Sequence, residues 1–155
     1  MTTTALACEQ ALSETIAKTE SALLSPPIPG ELAAWITGVQ DAAATLALNL
    51  ATWQRSALHQ QYEEILQADP EMGAQVEKLI AEDNELINEV AEFHERLHQM
   101  AEAAAHVDRN EGKLCEPRKR LEEQGIALLV SIKKHQVAAT TWLGEAHFRD
   151  RGVQD

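Results

Sequence analysis

Aromatic residues are scarce in this chain: three Trp, one Tyr and two Phe make up 4% of 155 residues. Glycine is sparse as well, and there are almost no runs in which β-branched residues alternate with polar ones. These absences exclude a sheet sandwich or barrel. The 45% apolar content is dominated by Ala and Leu, which favours helices. Positive charge is also short, with 13 Lys and Arg against 25 Asp and Glu and a net charge of −12. No clustered positive field is available for a phosphate backbone, so nucleic acid is excluded as a partner. The one basic cluster, "EPRKR" (116–120), runs into "LEEQ" and reads as the charged opening of a helix. Cys8 and Cys115 lie far apart and form no C-x-x-C pair, which supports neither a zinc ribbon nor a redox dithiol. A reduced, cytoplasmic setting is the expectation. "TALAC" (4–8) has the small residues of a lipoprotein cleavage site but neither the basic region nor the apolar segment that should precede it. The longest apolar stretch, "DAAATLALNLATW" (41–53), is interrupted by Asn49 and too short to span a bilayer.

Punctuation divides the chain into four helical segments within one domain covering 1–155. The first, about 4–24, carries Cys8, Leu12, Ile16 and Leu23 and stops at "SPPIPG" (25–30), which no helix crosses. The second, about 31–68, repeats Leu32, Trp35, Val39, Leu46, Leu50, Trp53 and Ala57 at helical spacing. In "ADPEMG" (68–73) Asp69 suits an N-cap and Pro70 a first helical position. The third helix then spans about 70–107. The fourth begins near Glu116-Pro117, after "DRNEGK" (108–113), and continues to about Arg149. Four helices with short loops and one apolar stripe each describe an all-α, up-and-down antiparallel four-helix bundle.

Polar residues interrupt those stripes. The third helix reads Val76, Ile80, Asp83, Ile87, Val90, His94, Leu97, Ala101, which places Asp83 and His94 where apolar side chains belong. The fourth reads Leu121, Gly125, Leu128, Ile132, His135, Ala139, Trp142, Ala146, with His135 the exception. A carboxylate or imidazole in the core costs several kcal/mol unless it is hydrogen-bonded or bound to metal. The simplest arrangement is His135 paired with Asp83 across the bundle. His59 falls at the edge of a stripe that re-centres on Leu58, Tyr62, Ile65 and Leu66, with Glu63 following at i+4 on the same side. That spacing serves a metal, or an ordinary exposed helix contact. "HERLH" places His94 and His98 one turn apart and contains H-E-x-x-H literally. It lacks a third ligand and a cleft, so neither hydrolysis nor any other enzymatic activity is expected, although a surface metal site at the two histidines stays open.

"LHQQYEEIL" (58–66), "VEKLIAEDNEL" (76–86) and "LLVSIKKHQVAATTWLGEAHFRDRG" (128–152) together resemble the hemerythrin-like, or HHE cation-binding, family from about Leu32 onward. The resemblance implies a four-helix bundle that holds two bridged iron atoms and binds oxygen, nitric oxide or iron. Carried across by residue, His59 matches the second-helix histidine and Glu63 the carboxylate after it. Asp83 stands where the third helix usually has histidine. His135 matches the fourth-helix histidine, but Ala138, Ala139 and Thr140 replace its carboxylate partner. The first helix supplies no ligand, because no histidine precedes His59. His59, Glu63, Asp83 and His135 are therefore the candidate metal ligands of a depleted set.

Two functions of different class follow. One is a hemerythrin-like bundle that has lost its di-iron site and serves as a non-enzymatic scaffold or interaction protein without a cofactor. The other is a protein binding a single iron or zinc ion, since two histidines and one carboxylate form an open facial triad suited to Fe(II). A homodimer or protein partner is a further expectation, with Trp or Leu exposed on more than one face of the long second helix as its surface.

Overall fold

Helix punctuation acts largely where the sequence puts it. The computed structural model describes residues 3–106 and 111–152. Helix α1 is Thr3–Leu23 and α2 is Leu32–Trp53; a π-helical turn, Gln54–His59, leads directly into α3, Gln60–Ala68. Helix α4 is Gly73–His106 and α5 is Cys115–Gly152. Because α2, the π turn and α3 form one rod, the chain makes four antiparallel rods and is an all-α four-helix bundle. No strand occurs among the described residues. Part of the expected loop, 108–110, lies outside the described residues.

Side chains running between rods show the antiparallel arrangement. Between α1 and α2, Asn49 bonds Thr15 while Trp35 Nε1 donates to Leu23 O at 3.4 Å. Between α4 and α5, His135 meets Asp83, and Arg96 donates to Gln124 Oε1 at 2.7 Å. Between α5 and α1, Gln136 reaches Ser13 Oγ at 3.3 Å and Lys133 lies 3.5 Å from Glu20 Oε2. In each pair one number rises as the other falls.

The α1–α2 turn is fixed to the opposite connection. Gly30 takes a φ of 87°, a left-handed conformation that side chains strain against, and its N–H donates to Glu111 Oε2 at 2.7 Å. Arg118 stacks its guanidinium 4.5 Å from the centre of the Trp35 ring and donates to Ser25 O at 2.9 Å. "EPRKR" thus opens a helix, as its context suggested, and one of its cations is structural. The cap at Asp69 is also present: its carboxylate accepts from Glu71 N at 3.1 Å. It caps a short 3₁₀ turn, Pro70–Met72, so α4 starts three residues later than the proline implies.

Buried side chains form one cluster running through all four rods, with Leu12, Ile16, Leu46, Leu50, Trp53, Tyr62, Phe93 and Ile132 essentially inaccessible. Each contributes about 1.5–3 kcal/mol on burial. Three details depart from the sequence reading. On α4 the buried series is Val76, Leu79, Asp83, Leu86, Val90, Phe93, Leu97 and Met100. Ile80 and Ile87 pack only partly against it, and His94 is exposed because Phe93 takes the core position beside it. Cys8 on α1 and Trp142 on α5 are likewise only partly buried. On the second rod Trp35 and Trp53 are buried, so of the large residues expected to mark a partner surface there only Leu48 is exposed, at 63%.

No helix among the described residues is long and apolar enough to cross a membrane.

Candidate functional site

The π turn determines what reaches the centre of the bundle. Through α2 the core positions recur as Ile36, Val39, Ala43, Leu46, Leu50, Trp53 and Ala57. Continued in unbroken α phase, this series would bury Gln60 and Glu64. Residues in the π turn bond five apart instead of four, which takes up one extra residue. The stripe then resumes one place later with Leu58, Tyr62 and Ile65, while Gln60 and Glu64 remain exposed. Gln54, the first residue of the turn, is buried, and its Nε2 donates to the backbone oxygen of Asp83 at 3.0 Å.

Asp83 is completely buried and forms the hub. Its Oδ1 accepts a short hydrogen bond from His135 Nε2, and its Oδ2 lies 3.3 Å from His59 Nε2. The second nitrogen of His135, Nδ1, lies 3.3 Å from Glu82 Oε2. Three elements therefore converge: the π turn through His59, α4 through Glu82 and Asp83, and α5 through His135. Trp53 meets the His135 ring edge to face at 6.2 Å between centroids, and Tyr62 lies between His59 and Trp142 at 5.9 and 6.3 Å.

The charges follow from this geometry. Carboxylates only accept hydrogen bonds when ionised, so facing one with each ring nitrogen requires a proton on both, and His135 is suited to being an imidazolium. Burial alone pulls its pKa down. The hydrogen bond and charge of Asp83, followed by those of Glu82, outweigh that and raise it above the ordinary value. Tyr62 is raised as well: burial first, then the negative charges of Asp83 and Glu82, hold its hydroxyl far above the ordinary phenol range, firmly neutral. That hydroxyl is buried near Asp83 but outside hydrogen-bond geometry, the one buried side-chain polar atom among the described residues without a partner.

Of the four candidate ligands, His59, Asp83 and His135 come together. Glu63 is exposed and stands outside the group. Among the described residues, no three His, Cys, Asp or Glu side chains are placed to hold one ion. His94 and His98 are both exposed, and His98 Nε2 forms a surface contact at 3.3 Å with Glu102 Oε1. Sequence reasoning found the hub and both imidazoles but missed Glu82 and Gln54. Both had a signal: Glu82 adjoins Asp83, and Gln54 is a polar residue directly after the core Trp53. From outside, the cluster is reached by a groove of about 320 Å³ between α4 and α5, where Glu82, Glu85 and Glu89 face Lys134 and the edge of His135.

The chain matches no protein-family model, no curated protein and no solved structure, so the hemerythrin-like resemblance rests on its residue pattern alone.

Proposed function

We propose that this bundle is a non-enzymatic scaffold or interaction protein that has lost a di-iron site and whose polar centre is held together by protons instead of metal. One observation carries the reading: each carboxylate oxygen of Asp83 faces an imidazole nitrogen, and the remaining nitrogen of His135 faces Glu82. A buried aspartate and imidazole thereby satisfy one another, as the core demands. A bridged pair of iron atoms asks for more imidazoles and a second bridging carboxylate than His59, Glu63, Asp83 and His135 provide. The small side chain of the buried Ala139 agrees with this, because a carboxylate without its metal would be a buried liability there. The free thiols of Cys8 and Cys115 fit a reducing, cytoplasmic setting.

A second reading is a single iron or zinc ion taken up by His59, His135 and Asp83, which would have to give up the hydrogen bonds they share and rearrange around it. The buried hydroxyl of Tyr62 beside Asp83 favours it, since a water on a bound ion would supply the partner this oxygen lacks among the described residues. Anaerobic loading with Fe(II) or Zn(II), followed by dialysis and metal analysis, separates the two. The scaffold reading expects no retained metal and a melting curve indifferent to chelators. About one ion per chain, lost in both His59→Ala and His135→Ala, would establish the single-metal protein instead.

A further inference from the structure

We propose that the loop joining α1 to α2 is a docking segment for a protein partner whose groove is lined by tryptophan and tyrosine side chains. The loop reads "LSPPIPGE" (24–31), and every one of its residues is exposed. Leu24 at 54% and Ile28 at 51%, together with Pro26, Pro27 and Pro29, make it a continuous apolar strip in water. The structure holds that strip in shape. Proline fixes φ at 26, 27 and 29 and confines the residue before it, here Ser25, Pro26 and Ile28, to extended backbone. At one end Trp35 Nε1 donates to Leu23 O at 3.4 Å and Arg118 Nη2 donates to Ser25 O at 2.9 Å. At the other, Glu31 N donates to Ile28 O at 3.0 Å across Pro29 and a Gly30 of positive φ, the pattern of a type II turn. Gly30 N then donates to Glu111 Oε2 at 2.7 Å. An extended proline segment about 12 Å long is thus tied down at both ends, so little ordering is left for a partner to impose.

The groups left unused between those ties identify the occupant. Pro26, Pro27 and Pro29 have no N–H, so the strip cannot add itself as a strand to a sheet edge. The carbonyls of Pro26 and Pro27 have no hydrogen-bond partner among the described residues. Exposed proline rings flanked by free acceptors match a groove of aromatic rings that bring their own N–H and O–H donors, the chemistry by which P-x-x-P segments are read. Pro26 and Pro29 have that spacing. The carboxylates of Glu31 and Glu111 stand at the Gly30 end of the strip, so the complementary groove has a basic rim there.

The probe is a WW domain with a Tyr–Trp groove and a lysine or arginine on its rim, titrated in EDTA into the full, isotope-labelled chain. Binding should fall between about 10 µM and 1 mM in Kd, with amide shifts centred on Leu24, Ser25, Ile28, Gly30 and Glu31. Pro26→Ala combined with Pro29→Ala should weaken it at least tenfold without altering circular dichroism or melting. Glu31→Lys should weaken it severalfold at low salt, a difference that should disappear in about 1 M NaCl. No shifts with the WW domain at about 1 mM, shifts confined to another face of the bundle, or a proline double variant that binds as well as wild type would each overturn the proposal. The inference rests on the interaction reading above and names the partner's chemistry, and the two fail separately. A chain that ignores the WW domain leaves the metal-free centre intact, whereas metal retained by the proline double variant overturns that centre and leaves the docking loop.

Discussion

His135 has a carboxylate at each ring nitrogen, and the consequence is a stability that depends on pH with a definite sign. Its pKa in the folded chain lies above the ordinary 6.5. Its contribution is therefore complete below about pH 6.5 and is lost as pH rises through the raised folded value. Urea unfolding of wild type and His135→Gln across that window should show the wild-type advantage shrinking toward alkaline pH. An advantage that grew instead would mean the ring is neutral in the fold. Asp83 gives a second expectation. Asp83→Leu leaves a buried imidazolium facing a hydrocarbon and should cost about 3–5 kcal/mol. Adding His135→Leu removes the orphaned charge, so the double variant should recover most of that loss, and a double-mutant cycle reads the coupling directly. Additive losses would show that the two residues do not form a pair.

At the scale of elements, the π turn is one extra residue absorbed between two stretches of correct phase. Deleting the exposed Ser56 should convert it to regular α-helix and keep Leu58, Tyr62 and Ile65 in the core, with melting changed by only a few degrees. Deleting the exposed Asn84 from α4 has no bulge to absorb it and should abolish cooperative unfolding, because every core residue after Asp83 rotates away. Circular dichroism on both deletions tests the contrast. The same reasoning shows how much the sequence could reveal. Four helices were legible because proline, glycine and polar turns separate long apolar stripes, and Asp83 and His135 stood out as polar residues within them. The re-centring on Leu58 and Tyr62 was visible too, but not its cause, since a π turn has no composition of its own. His94 was misplaced because Ile80 and Ile87 flank the true Leu79 and Leu86 ladder, and two nearly parallel apolar stripes can be followed from one end. Phe93 decides between them only once Gly125 is seen opposite. A Cβ at Gly125 would lie 2.7 Å from Leu23 Cδ1 and 3.0 Å from Phe93 Cζ. Gly125→Val should therefore destabilise by about 1–3 kcal/mol. Gly38→Ala, on an exposed helical face with nothing within 4 Å, should stabilise by about 0.5–1 kcal/mol.

For the whole molecule, the net charge of −12 is concentrated away from α5 and heavily on α4, so repulsion between carboxylates opposes the compact state. Few ion pairs among the described residues offset it, and those on the surface, Arg96–Glu92, Lys133–Glu20 and His98–Glu102, are of the exposed kind that contribute little. The central cluster is different. Its Asp83–His135 pair is buried, so salt screens it weakly, and it continues to tie α4 to α5 when the surface field is suppressed. Raising NaCl from about 0.01 to 1 M shortens the screening length from about 30 to about 3 Å. Screening then reaches the exposed glutamates of α4 but not Asp83, and the melting temperature should rise. Chloride is the salt to use, because sulfate strengthens apolar burial in any protein and would raise melting regardless of charge. Glu85→Gln combined with Glu92→Gln should raise the low-salt melting temperature and flatten its salt dependence. A wild-type melting temperature that fell with salt would place the net electrostatic attraction in the surface pairs, and the bundle would then depend on its ion pairs despite its excess of negative charge.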